Sequence, residues 1–111
     1  MKYHPVPFLI SCDYGTVNPA SFGLWGKQGS AWYRLEEYYY NSRLTGIQRT
    51  DEEHYEGLRQ LAGNRPISRV VVDPSAASFM AVIRQHGDFL PVPARNDVLD
   101  GIRSVGVALK Q

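Results

Sequence analysis

Two short apolar runs in this chain each finish on an aspartate, and that shared grammar restricts the fold more than any other feature. Phe8-Leu9-Ile10-Ser11-Cys12-Asp13 leads into Tyr14-Gly15, and Arg69-Val70-Val71-Val72-Asp73 is stopped by Pro74. Continuous apolar runs of this length, bounded by turn residues, fit strands buried on both faces, the kind found at the centre of a parallel α/β sheet. Such strands need covering helices, and a chain of 111 residues has room for one domain built this way. Apolar residues make up 43% and charged residues 21%, which places the chain among folding sequences rather than disordered ones.

The remaining elements follow from local patterns. Pro5-Val6-Pro7 is extended, because proline pushes its predecessor out of the helical region. Ser21–Gly26 and Ala31–Tyr40 are aromatic-rich and read as strands, joined through a Lys27-Gln28-Gly29-Ser30 hairpin turn. Strict alternation places Trp32, Arg34, Glu36 and Tyr38 on one face of the second strand and Tyr33, Leu35, Glu37 and Tyr39 on the other. Thr50-Asp51-Glu52-Glu53 has the form of a capping box, and Tyr55, Leu58, Leu61 and Ala62 follow at helical spacing until Gly63-Asn64. After Pro74, the residues Phe79, Val82, Ile83 and His86 mark one face of a helix that ends at Gly87. Phe89–Pro93 is a short extended piece whose prolines suit a sheet edge. Asp97 N-caps a last helix carrying Val98, Ile102, Val105 and Leu109. The order is β-β-β-α-β-α-β-α, an α/β mixed sheet of about five strands flanked by helices, with the first and fourth strands parallel neighbours at its centre.

Composition excludes several functions. Twelve basic against eleven acidic side chains give a net charge of +1, so binding in the manner of a histone or a polybasic arm is ruled out, while a local basic patch is not. One cysteine, Cys12, allows neither an intrachain disulfide nor a cysteine-based zinc site; inside a strand it reads as a small core residue. His4, His54 and His86 lack partners at metal-ligand spacing and read as structural or exposed. No apolar run approaches the ~18 residues of a membrane span, and the N-terminus is no signal peptide.

Ligands of open α/β sheets sit outside the carboxyl ends of the parallel strands. If the first and fourth strands are neighbours, the carboxylates of Asp13 and Asp73 lie roughly 5 Å apart across the ladder. Two carboxylates that close repel unless a cation intervenes, and hard oxygen ligands suit Mg²⁺ or Mn²⁺. The chemistry of such a pair is metal-assisted phosphoryl transfer. Each aspartate also fits a plainer role, as the start of the turn that follows its strand. Asp13-Tyr14-Gly15-Thr16 further matches a D-x-G-T pattern found in phosphate loops of the actin and sugar-kinase superfamily, a fold that needs two such domains and a far longer chain.

With those residues in view, the chain resembles the C-terminal nuclease domain of phage terminase large subunits. The stretches that carry the resemblance run in order along the chain: residues 11–22, Thr50-Asp51-Glu52-Glu53-His54-Tyr55, Val72-Asp73-Pro74-Ser75-Ala76-Ala77-Ser78-Phe79 and Asn96-Asp97-Val98-Leu99-Asp100-Gly101-Ile102-Arg103. The resemblance implies an RNase H-like fold spanning residues 1–111 and a divalent-metal endonuclease that cuts concatemeric viral DNA during genome packaging. It implies Asp13 and Asp73 as catalytic, metal-holding acids of a two-metal Mg²⁺ or Mn²⁺ site. It also implies double-stranded viral DNA, a packaging ATPase domain, the small terminase subunit and the portal as partners, in the host cytoplasm and with no membrane involved.

The family's third carboxylate lies on a later segment, and no G-x-x-x-x-G-K-[ST] loop is present. The expectation is therefore a fragment with two of three acids, binding metal weakly and cutting little or not at all. Asp97 or Asp100 would substitute only if their helix faced the sheet edge. The alternative is a catalytically incomplete RNase H-like module that binds DNA or docks on a protein. Candidate DNA contacts are Arg43, Arg49, Ser75, Arg95 and Asn96, with Lys27 and Arg34 near the hairpin, since phosphate contacts supply most sequence-independent affinity. Ser75 and Ser78 equally suit the cap of the helix they precede.

Overall fold

The computed structural model describes residues 8–15 and 19–94. Its elements are β1 (Phe8–Asp13), β2 (Ala20–Gln28), β3 (Ala31–Tyr40), α1 (Ser42–Thr45), α2 (Asp51–Ala62), β4 (Ile67–Val72), α3 (Ala77–His86) and β5 (Pro91–Pro93). The strands form one sheet in the order β3-β2-β1-β4-β5. β1 runs antiparallel to β2 and parallel to β4, and β5 is parallel to β4. This is the expected α/β mixed sheet, with β1 and β4 adjacent and parallel near its middle. The helix expected after Asp97 lies outside the described residues.

Leu9, Ile10 and Cys12 of β1 and Val70–Val72 of β4 are apolar because both faces of the sheet are buried there. Ile10, Cys12, Val70 and Val72 join Phe22 and Leu24 beneath Tyr55, Leu58 and Leu61 of α2 and Phe79 and Ile83 of α3. The opposite face is lined by Leu9, Trp25 and Val71, which cluster with Ala94. Each such aliphatic side chain contributes about 1.5–3 kcal/mol on full burial. Cys12 is a core residue, and burial pushes its thiol well above the ordinary range.

α2 begins where the sequence places it. Thr50 Oγ1 accepts from the Glu53 N–H at 3.1 Å, and Glu53 returns the bond to the Thr50 N–H at 2.9 Å. That backbone bond holds the Glu53 carboxyl below its usual range. α3 starts differently: its N-cap is Ala76, which makes no side-chain cap bond, so neither Ser75 nor Ser78 caps it.

Three details depart from the sequence reading. The first hairpin strand runs further than expected, so the turn narrows to Gly29-Ser30, with Gly29 at φ +64°. The run after Tyr40 coils into the single turn α1, an element the sequence pattern does not announce. β3 also carries a bulge: Leu24 pairs with Glu36 but Trp25 pairs with Arg34, leaving Leu35 as the extra residue. The bulge inverts the alternation at Leu35. Trp32 packs with Trp25 on one face, whereas Tyr38 joins the helix-covered core on the other. Trp32 and Tyr38 therefore do not share a face.

Candidate functional site

The carboxyl ends of β1 and β4 meet at one rim of the sheet. The last ladder pair is Cys12 with Val72, so Asp13 and Asp73 are the next residues on two adjacent parallel strands. Asp13 is the final residue of β1, pairs with Ser21 of β2 and is exposed. Asp73 has already left β4 and opens the turn toward α3; its backbone carbonyl accepts from the Ala76 N–H at 2.9 Å. Its Oδ1 accepts twice from Ser75, from the N–H and from the hydroxyl, each at 2.9 Å. The turn-starting role and the rim position of Asp73 thus coexist. The Ser75 hydroxyl points its hydrogen bond at Asp73.

Glu37 belongs to the neighbourhood of this rim but is engaged elsewhere. It accepts from Ser21 Oγ at 3.2 Å and forms an ion pair with Arg34. Among the described residues no group of three His, Cys, Asp or Glu side chains is arranged to hold a metal ion. Asp13 and Asp73 offer the hard oxygen donors that a divalent cation takes, and they would hold it as a pair.

On the helix side of the same rim, Tyr14 begins an aromatic cluster. Its ring stacks on Phe79 at 4.4 Å and meets His54 edge-on at 5.1 Å, while its hydroxyl donates to Asp51. His54 is 5% exposed. Its Nδ1 lies 3.0 Å from the Tyr38 hydroxyl, whose oxygen accepts from Arg49 at 2.9 Å. The Tyr38 oxygen thus links Arg49 to the His54 ring, with donor and acceptor on the Tyr38–Nδ1 bond set by the His54 tautomer. Burial, aided by the Arg49 charge, lowers the His54 pKa from 6.5, so the ring is neutral at neutral pH. Arg49 also lies 4.0 Å over the Tyr40 ring, a cation–π contact. A cavity of about 210 Å³ opens here, between Tyr14-Gly15, Tyr40 and the first turn of α2.

The candidate DNA contacts fall into distinct settings. Arg43 is exposed on α1. Arg49 is tied to Tyr38 and Tyr40, Arg34 to Glu37 and the Trp25 ring, and Lys27 sits 5.7 Å from the Trp32 ring. Arg95 and Asn96 lie outside the described residues. The sequence reading missed the joint role of Tyr14, Tyr38, Tyr40 and His54. The only available signal was the three consecutive tyrosines, which alternation alone assigns to opposite faces.

The same architecture occurs in the large terminase of a thermophilic bacteriophage. The ADP complex of that terminase superposes with a TM-score of 0.79 at 45% identity, over 93% of this chain and 26% of that one. Its ATP-γ-S complex gives 0.80 at 46% identity, over 98% of this chain and 28% of that one. The chain is homologous to a portion of that large terminase. It spans only about a quarter of the terminase's length, and the ADP and ATP-γ-S complexes are those of the longer phage protein. No protein-family model and no curated protein matches the chain.

Among the described residues no helix is long and apolar enough to cross a membrane.

Proposed function

We propose that this chain is the RNase H-like nuclease part of a phage large terminase, a divalent-metal endonuclease acting on double-stranded viral DNA during packaging. The observation that carries the reading is the parallel pairing of β1 with β4. It makes Asp13 and Asp73 the first residues past the ladder on neighbouring strands, at one rim of the sheet. Homology to a large terminase supplies the biological context. Asp13 and Asp73 would hold Mg²⁺ or Mn²⁺, which supplies Lewis acidity and lowers the pKa of a bound water. Ser75 fixes the orientation of Asp73, and Arg43 offers an exposed cation for a phosphate. The packaging ATPase domain, the small subunit and the portal belong to this reading as partners of the full assembly.

Nicking of supercoiled plasmid in Mn²⁺ tests it. Weak activity, in keeping with two of the family's three acids, that disappears in both Asp13→Ala and Asp73→Ala with folding intact is the expected result. Absence of nicking alongside retained DNA binding would overturn it in favour of a second reading, a catalytically incomplete module that binds DNA or docks on a protein.

A further inference from the structure

The cavity beside Tyr14 is a small recess open to solvent on one side. At ~30 Å³ per water, its volume of about 210 Å³ corresponds to roughly seven waters. That is the scale of one ring system and below the ~300–1,000 Å³ of drug-sized sites. Tyr14 and Tyr40 contribute aromatic rings to its wall, and both hydroxyls are already committed, Tyr14 to Asp51 and Tyr40 to Thr45 and the Ile47 carbonyl. Phe79 covers one face of the Tyr14 ring and Arg49 one face of the Tyr40 ring, so the tyrosines offer their remaining ring surface.

The polar part of the wall is mixed. His54 Nε2 has no hydrogen-bond partner among the described residues, yet no described side-chain nitrogen or oxygen is sealed from solvent without one. Nε2 is thus a solvent-open polar atom, donor or acceptor by tautomer, on a ring that lines the cavity. Arg49 adds further donors, and the Asp51 carboxylate keeps acceptor capacity beyond its bond from Tyr14. A free phosphate is poorly matched, because Asp51, Glu52 and Glu53 crowd the adjacent helix terminus with negative charge. Flat apolar surface combined with both donors and acceptors matches the face and edge of a nucleobase.

The geometry points to this cavity as a receptor for one unstacked nucleobase of a DNA strand crossing the rim. Asp13 and Tyr14 are consecutive, so the acid pair and the cavity lie at the same end of the sheet, on its two faces. A strand held at the acids can turn one base out of its stack into the recess, a step that costs least where the duplex is already open. The choice of a nucleobase over other small heterocycles rests on the nuclease reading; the cavity itself does not.

Amide chemical shifts of the ¹⁵N-labelled chain test this directly. Thymidine, deoxyadenosine, deoxycytidine and deoxyguanosine are titrated separately, with inorganic phosphate and deoxyribose as controls. We expect saturable shifts at Gly15, Thr50, Asp51 and His54 with at least one nucleoside and with neither control. Ser42 lines the mouth and its hydroxyl makes no described hydrogen bond, so Ser42→Phe, or Ser42→Leu should the ring unfold the chain, fills the space. Either variant should weaken binding about tenfold or more. No saturable shift with any nucleoside, equal shifts with a control, or unchanged binding in a folded Ser42 variant would overturn the proposal. Nicking measured on the same sample separates the two readings: nucleoside shifts without nicking sink the nuclease assignment alone, and nicking without shifts sinks the cavity assignment alone.

Discussion

Ser75 donates twice to a single carboxylate oxygen of Asp73, through its backbone N–H and through its hydroxyl, each at 2.9 Å. Two donors on one oxygen fix the carboxylate plane, and only the hydroxyl can be removed by mutation. Ser75→Ala should therefore cost about 0.5–1.5 kcal/mol of stability, read from the urea midpoint. If Asp73 holds a cation, the same change should weaken Mn²⁺ binding by about tenfold, as loss of an orienting partner does. Ser75→Thr should restore both. Unchanged Mn²⁺ affinity in Ser75→Ala would show that the bond serves the turn alone.

Gly57 lies inside α2, where alanine is normally better by about 1 kcal/mol. Here a Cβ would press into the Tyr38 ring, 2.7 Å from its Cδ1 and Cζ. Tyr38 is pinned by His54 and Arg49 and has little freedom to retreat. Overpacking of this kind costs typically ~1–3 kcal/mol, so the steric penalty should match or exceed the propensity gain. Gly57→Ala is expected to lower the denaturation midpoint; a clear rise would mean that Tyr38 can shift.

The buried His54 predicts an acid-side loss of stability. Its folded pKa lies below 6.5 because of burial and Arg49, with Asp51 and Glu53 opposing. Between the lowered value and about 6.5 the unfolded chain binds more protons than the folded one, so stability rises with pH through that window. It is fully present above about 6.5 and falls as the pH drops. Urea titrations at pH 5 and pH 7.5 should show a larger difference for the wild type than for His54→Gln. Equal differences would place the His54 pKa at its ordinary value.

Trp25 donates its indole N–H to Ser11 Oγ at 3.0 Å, and its ring packs with Leu9 and Val71 on the sheet face away from α2 and α3. Ser11→Ala leaves a half-buried donor without its acceptor, at a cost of about 1–3 kcal/mol. Equilibrium unfolding followed by tryptophan fluorescence measures it, and a loss below about 0.5 kcal/mol would mean that water replaces the hydroxyl.

Much of this architecture was legible because it depends on local pattern. Continuous apolar runs announced β1 and β4, the Thr50–Glu53 box announced α2, and two prolines announced an edge strand. The bulge at Leu35 was not legible, since a residue added to one strand is visible only against its partner. The cluster around His54 was hidden for a similar reason: Tyr14, Tyr38, Tyr40 and Arg49 come from separate segments, and no sequence spacing brings them together. The rim placement of Asp13 and Asp73 was legible because strand order and parity reach across the parallel ladder. Their surroundings, in particular the double bond from Ser75, depend on how the chain turns after Pro74.

Pro91 and Pro93 occupy alternate positions of β5. The inward-facing bonds are made by their neighbours, with the Leu90 carbonyl accepting from Val70 and the Ala94 N–H donating to Val72. The two imino nitrogens therefore fall on the margin turned away from β4, where an ordinary strand would display amide hydrogens. That border has nothing to donate, so a stray extended segment from another molecule meets carbonyls alone and cannot zip on. The chain thereby carries its own safeguard against end-to-end stacking into fibres on the β5 side.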